Sequence, residues 1–342
     1  MTGTMPAYAF HAADVRGTLT RRPTPTVTNP DDVLVRVTMT GICGTDRAIL
    51  LGEAEAAPGV VLGHEAVGRV AAVGAAVRGL RGGARVVVNP TYYCTACRMC
   101  RRGRMALCRA KEGREIGVDR DGTMARYAVV PERFVHPIPD GLPDRRAALV
   151  EPLACVLNNL RCAAPRWDDD ILVLGGGPIG ALCALVLAFR GFRVRLTEPD
   201  QRRAALVREA LPRSVDVTAV PDLARPPDLV VDSVGTMPGV GVELVEDGAT
   251  VLVMGERLGS VADISLHRLA TGAIRVVGAG PYAPADFESA LDLAADLPLE
   301  SLVSHEIPLH HADKAMAMLG VPDPLDGYAA LKILLTVPAT DG

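Results

Sequence analysis

Cys94, Cys97, Cys100 and Cys108 lie in the run CTACRMCRRGRMALC with the spacing C-x2-C-x2-C-x7-C. Four thiolates from one short loop can close a tetrahedral zinc site with no open position, which is a structural site and not a catalytic one. A redox pair would need only two cysteines. A ferredoxin-type cluster opens with the same spacing, but its fourth cysteine comes sooner and precedes proline, whereas Arg109 follows Cys108. Arg98, Arg101, Arg102 and Arg104 keep a nucleic-acid zinc ribbon open as the other reading, on one basic loop of an acidic chain.

A second group is dispersed. Cys43 stands in GICGTDRAIL, His64 and Glu65 stand in GHE, and Glu151 stands in VEPLACV. Each has an ordinary reading by itself: a small buried thiol, a satisfied core histidine, surface carboxylates. Together they offer the thiolate, imidazole and carboxylate from which three-ligand zinc sites with one exchangeable position are made.

A third motif is Gly175-x-Gly177-x-x-Gly180, directly after the apolar run ILVL. The first glycine permits a tight turn, the second lets the backbone approach a pyrophosphate, and the third lets helix and strand pack closely. Pro178 and Ile179 open the helix, whose free N–H groups and partial positive charge suit phosphates. Glu198 ends the next strand, placed to accept hydrogen bonds from the adenosine ribose hydroxyls. A carboxylate there repels a 2′-phosphate, so NAD(H) is favoured; Arg195, Arg202 and Arg203 temper that preference and keep NADP(H) open. The plain alternatives are glycine used only for packing and a solvated arginine face.

The elements that would position these residues follow from the rest of the chain. Its 342 residues are too many for one ordinary core, so two domains are expected. The net charge of −4 supplies no basic field, and nucleic acid is not an expected partner. The opening MTGTMPAYAF lacks the basic-then-apolar pattern of a signal peptide. The longest uncharged run, Ile171 to Phe189, would nearly span a bilayer, but Gly175, Gly176, Gly177 and Pro178 break it into strand, turn and helix. The expectation is a cytoplasmic chain with no membrane contact, whose eight cysteines stay reduced and favour metal over disulfides. Residues 31–150 read as short strands, among them DDVLVRVTM with Val33, Val35 and Val37 on one face. From about residue 168 apolar runs alternate with helical sequence, which indicates an α/β region with a doubly wound parallel sheet. PADFESALDLAADL reads as a later helix and ALKILLTV as a last strand.

GICGTD, GHEAVG, the four-cysteine loop, EPLACV and GGGPIG occur in this order over essentially the whole chain. In them the sequence resembles the zinc-dependent medium-chain dehydrogenases/reductases of the alcohol and polyol dehydrogenase superfamily. EPLACV places it nearest the sorbitol, threonine and glucose dehydrogenases, since the simple-alcohol branch has cysteine at the third ligand. The resemblance implies a GroES-like β-rich catalytic domain, residues 1–155 and 279–342, with a structural zinc lobe at about 90–110. A Rossmann dinucleotide domain, residues 156–278, would interrupt it.

The family also implies roles. Cys43 and His64 would ligate the catalytic zinc, Glu151 would be a third ligand directly or through water, and Glu65 an exchanging one. Asp46 would orient His64 through its other ring nitrogen. Thr45 would hydrogen-bond the alcohol oxygen and pass its proton outward, and Lys332 would touch the cofactor pyrophosphate. The reaction implied is reversible oxidation of a secondary alcohol to a ketone, with hydride passed to NAD(P), two zinc ions per chain, and a homodimer or homotetramer. The expected substrate is a small polyhydroxylated molecule: a sugar, a polyol or an (amino)cyclitol. Lysine appears only at Lys111, Lys314 and Lys332 against abundant arginine, a bias of GC-rich bacteria that suggests a secondary-metabolite pathway. A zinc-free or non-catalytic binding relative on the same fold is the alternative. One departure stands out. Where many relatives carry a histidine that completes the proton relay, this chain has Ala48, so the proton must leave through the nicotinamide ribose, water, or a residue such as Arg47 or Glu115.

Overall fold

The computed structural model describes residues 3–221, 225–322 and 329–338. An antiparallel ribbon, β1 (Thr4–His11) and β2 (Arg16–Pro23), comes first. Next come β3 (Asp32–Gly41), the short helix α1 (Gly44–Leu50), β4 (Glu65–Val73) and β5 (Arg85–Val88). One helical turn, α2 (Arg98–Arg101), lies inside the four-cysteine loop. After it come β6 (Tyr127–Pro131), β7 (Val135–Pro137) and the single turn α3 (Asp144–Ala147). Val33, Val35 and Val37 on β3 are 0–1% exposed, and Leu34 on the opposite face is 3% exposed. The alternation thus understates the strand's burial, because both of its faces are covered.

Helix α4 (Val150–Ala163) carries the chain onward and is buried nearly all round through its first three turns. The expected boundary at 155/156 falls inside this unbroken helix. The left-handed Ala164 closes α4 and Pro165 follows it.

The second body comprises β8 (Asp170–Leu174), α5 (Pro178–Phe189), β9 (Arg193–Thr197), α6 (Gln201–Ala210) and β10 (Val215–Thr218). It continues with β11 (Leu229–Asp232), α7 (Pro238–Leu244), β12 (Thr250–Val253), α8 (Leu266–Thr271) and β13 (Arg275–Gly278). All its strand pairs are parallel, in the order β10-β9-β8-β11-β12-β13. This is the doubly wound Rossmann arrangement. The long apolar run resolves into β8 and α5, and no described helix is long and apolar enough to cross a membrane.

The chain then forms α9 (Pro284–Leu293), β14 (Val303–Pro308), α10 (Ala312–Met318) and β15 (Lys332–Thr336). β15 lies parallel to β14 and antiparallel to β3, so the first sheet runs β14-β15-β3-β4-β5-β7, with β6 also on β3. One apolar cluster passes from Val67 and Val87 of that sheet through Leu153 and Val156 of α4 to Ile171 and Leu185 of the parallel body. Arg161 of α4 grips Asp286 of α9 with both arms of its guanidinium, at 3.0 and 3.1 Å.

His136 on β7 packs its ring 4.9 Å from Phe287 of α9, and its buried Nε2 has no hydrogen-bond partner. Burial lowers its pKa, against a smaller opposing pull from Glu288. The unfolded chain therefore takes up this proton first as pH falls. The stability tied to neutral His136 is intact above an ordinary histidine pKa of about 6.5 and is lost as pH drops below it. His305, lowered likewise by burial and then by Lys314, adds to the same limb. Melting temperatures between pH 7.5 and pH 5 should fall less steeply for His136→Leu than for the wild type.

Candidate active site

Cys43 caps α1 immediately after β3, and His64 immediately precedes β4. Asp46, wholly buried, ties these two turns together. Its carboxylate accepts the Cys43 N–H and the Gly63 N–H, each at 2.9 Å. The expected bond from Asp46 to the imidazole is thus replaced by bonds to the two ligand-bearing backbones, and Asp46 acts on His64 only through its charge. Glu65 faces Gly41 across the β3–β4 pair, and any side chain at 41 would overlap its carboxylate.

The ligand atoms of Cys43, His64 and Glu65 lie within 4.8 Å of one another. Burial pushes His64 down, yet Cys43, through charge and a hydrogen bond, with Asp46 and Glu151, holds it well above its usual pKa. A pocket that draws this much positive charge onto an imidazole fits a bound cation, and thiolate, imidazole and carboxylate are zinc ligands. Glu151, near the start of α4, is outside this compact set. Burial raises its carboxyl to about 7, with Glu65 adding to the effect and His64 and Lys332 opposing it.

Lys332 is almost fully buried. Its ammonium group forms an ion pair with Glu65 and donates to the Ile42 carbonyl at 2.9 Å. Lys332, expected at the cofactor pyrophosphate, therefore has its observed partners beside the proposed metal ligands. Thr45 is exposed, with its hydroxyl 3.7 Å from the Cys43 sulfur. Both side chains considered for the proton are engaged elsewhere: Arg47 donates to the Leu319 carbonyl at 2.9 Å, and Glu115 pairs with Lys111 at 3.1 Å.

The four sulfurs of Cys94, Cys97, Cys100 and Cys108 also converge within 4.8 Å. The Cys97 and Ala110 amides point at the sulfurs of Cys94 and Cys108, at 3.2 and 3.4 Å. Amide hydrogen bonds from Cys100 and Arg109 lower the Cys97 thiol to about 6, while burial raises Cys100 to about 11. Amides aimed at sulfur stabilise thiolates, so this lobe fits a closed four-thiolate metal site.

Behind β8, Gly175 adopts φ +97° and Gly180 is so close to the Gly175 carbonyl that a side chain there would overlap it. Gly177 faces open space, and the first turn of α5, with Pro178 and Ile179, has no side-chain cap. That open, uncapped helix end fits a pyrophosphate. Glu198 is buried and accepts from Gly176 N at 3.0 Å, Asp200 N at 2.9 Å and Arg203 Nε at 2.8 Å. Arg195 departs from expectation. It pairs with Asp170 at 3.1 Å, at the opposite end of β8 from the glycine loop.

Residues 29–140 match the model of the alcohol dehydrogenase GroES-like domain. The sorbitol dehydrogenase of Halalkalibacterium halodurans is 30% identical over 332 residues, 92% of this chain and 94% of that protein. The chain belongs to the zinc-dependent medium-chain alcohol and polyol dehydrogenase family. A probable D-xylulose reductase A of Aspergillus fumigatus is 30% identical to this dehydrogenase over 86% of its chain and 88% of the relative. A zinc-binding dehydrogenase from Sinorhizobium meliloti, solved bound to NADP, superposes with a TM-score of 0.86 at 29% identity, over 98% and 99% of the two chains. Family membership makes this protein an NAD(P)-dependent dehydrogenase.

Sequence reasoning missed Tyr282. Its buried hydroxyl bonds Asn89, Thr91 and Glu151. An aromatic residue between the last parallel strand and the next helix carries no local signal of such a role.

Asp46→Ala would orphan two buried amides at once, each costing about 1–3 kcal/mol. A loss of about 2–4 kcal/mol is expected from the denaturant midpoint, together with weaker metal retention. Gly180→Ala should abolish NADH binding in a fluorescence titration, since the Gly175 carbonyl must move to admit the methyl group.

Proposed function

We propose that this dehydrogenase interconverts a secondary alcohol and a ketone on a small polyhydroxylated substrate, a sugar, polyol or (amino)cyclitol, with NAD(H) as the favoured cofactor. The observation that carries this reading is the convergence of Cys43, His64 and Glu65, with Glu151 and Lys332 against them. The sorbitol and xylulose names of its relatives support the polyol class. Residues 1–155 and 279–342 serve as the catalytic domain and 156–278 as the cofactor domain. The open outer edge of β13, with Val276 39% exposed, suits pairing with a second copy in a homodimer or homotetramer.

The residues divide the work by position. Cys43, His64 and Glu65 would hold one zinc, with Glu151 joining directly or through water, and the four-cysteine lobe would hold another. Zinc there would supply the Lewis acidity that makes a substrate hydroxyl acidic, and the nicotinamide would accept hydride. Thr45, on the open side of Cys43, takes the substrate hydroxyl's hydrogen bond and receives its proton. With Ala48 inert and Arg47 and Glu115 occupied, the proton passes from Thr45 to the cofactor ribose or to water. Lys332 offsets the Glu65 charge and lets that carboxylate stay buried. The first turn of α5 and Glu198 fix the cofactor's pyrophosphate and ribose. Glu198 opposes a 2′-phosphate and underlies the NAD(H) preference, which its ion pair with Arg203 reduces.

Purified protein should contain about two zinc ions per chain by metal analysis. It should reduce NAD with one or more members of a polyol and aminocyclitol panel. Cys43→Ala should lose one zinc and about 1,000-fold in kcat/KM, the several kcal/mol that a Lewis acid supplies. Full turnover by that variant, or a wild type with no zinc, would overturn the reading.

A further inference from the structure

Glu151 and Tyr282 meet at a point where three parts of the chain converge. Glu151 lies in the first turn of α4, Tyr282 immediately precedes α9, and Asn89 and Thr91 follow β5 and lead into the four-cysteine lobe. The Tyr282 side chain is 2% exposed and Asn89 is 1% exposed. The hydroxyl donates to Asn89 Oδ1 at 3.2 Å, and that oxygen is fixed by the Thr91 amide at 3.0 Å. The same hydroxyl bonds the Glu151 carboxylate and the Thr91 side chain. A phenol has one proton to donate, and here two acceptors, Asn89 Oδ1 and Glu151, compete for it.

The phenol cannot follow Glu151 if the carboxylate moves. The first turn of α9 is closed by Asp286, which accepts the Ala283 amide at 2.8 Å and is gripped by Arg161 of α4. The Tyr282 ring also packs 6.0 Å from Phe287. The hydroxyl is therefore a fixed post. Glu151 is outside the compact set of Cys43, His64 and Glu65, and the post is what it touches on its other side.

We propose that Tyr282 is a positioning residue for Glu151. Its hydroxyl holds the carboxylate apart from the Cys43–His64–Glu65 set and releases it when the phenolic hydrogen bond passes to Asn89. The proposal rests on reading that set as the catalytic metal site. It decides between the two roles open to Glu151, a ligand directly on the metal or one acting through water: the post keeps the carboxylate one step away. Because Asn89 and Thr91 belong to the root of the cysteine lobe, the lobe's position also bears on where Glu151 rests.

The test is the rate at which the catalytic zinc passes to a chromophoric chelator, read beside kcat, KM and melting temperature. Tyr282→Phe keeps the ring and removes the post. With Glu151 free to coordinate, zinc release should slow about tenfold, the scale of outer-shell effects on metal affinity. kcat should fall by a similar factor with KM little changed. Asn89→Ala leaves Glu151 as the stronger remaining acceptor and should move zinc release the other way. In a Glu151→Ala background, Tyr282→Phe should change neither quantity, since the pair acts as a unit. An unchanged release rate in Tyr282→Phe, the same direction of change in both single variants, or an undiminished effect in the Glu151→Ala background would overturn the proposal. Absence of nicotinamide-linked turnover in the wild type would remove the dehydrogenase reading, and the zinc-release comparison would still decide the role of Tyr282.

Discussion

The carboxylate of Asp46 joins two turns that are separate in sequence and must be adjacent for any chemistry. It accepts one amide from the Cys43 turn and one from the turn that delivers His64. A fully buried carboxylate is unstable unless its lone pairs are used. Here the partners that satisfy it are the backbones that aim a thiol and an imidazole at one point. Gly41 and Gly63 follow from the same arrangement, because the space a side chain would fill is taken by the Glu65 carboxylate in one case and by Met124 in the other.

Helix α4 does for the two bodies what Asp46 does for the two turns. It contributes Glu151 at its N-terminal end, packs between both sheets, and grips α9 through Arg161 and Asp286. Displacing α4 would move the carboxylate and the apolar contacts on both sides together. An active site between domains needs such a common reference, since misplacement of a reacting group by about 1 Å can cost about 100-fold in rate.

The parallel body was the most legible part of the chain. Each of its six strands is a short apolar run bounded by helical sequence, because strands covered on both faces need no polar alternation. The glycine loop and the four-cysteine loop were legible because their ligand geometry is local in sequence. The β1–β2 ribbon was not: β2 reads RGTLTRRP, half exposed, and is set by pairing and not by pattern. Arg195 shows another limit. Sequence proximity placed it near Glu198, but the alternation of side chains along β9 and its ion pair carry it to Asp170. Asp46 was recognised as a supporting residue, but its choice of backbone over imidazole depends on where the Gly63 turn comes to rest. The partner of Lys332 was hidden for the same kind of reason, since β15 reaches β3 only after the whole parallel body intervenes.

That last strand has a consequence for the order of assembly. β3 pairs with β4 and β6 over local stretches, whereas the strand that seals its remaining edge and delivers Lys332 to Ile42 lies 290 residues farther along. During synthesis the parallel body can complete its sheet while the first sheet still has an open flank and Glu65 lacks its counter-charge. A nascent chain at that stage exposes both an unpaired strand edge and an uncompensated buried acid, the features that invite association with other chains. The interval between making β13 and docking β15 is thus when this protein would depend most on chaperones.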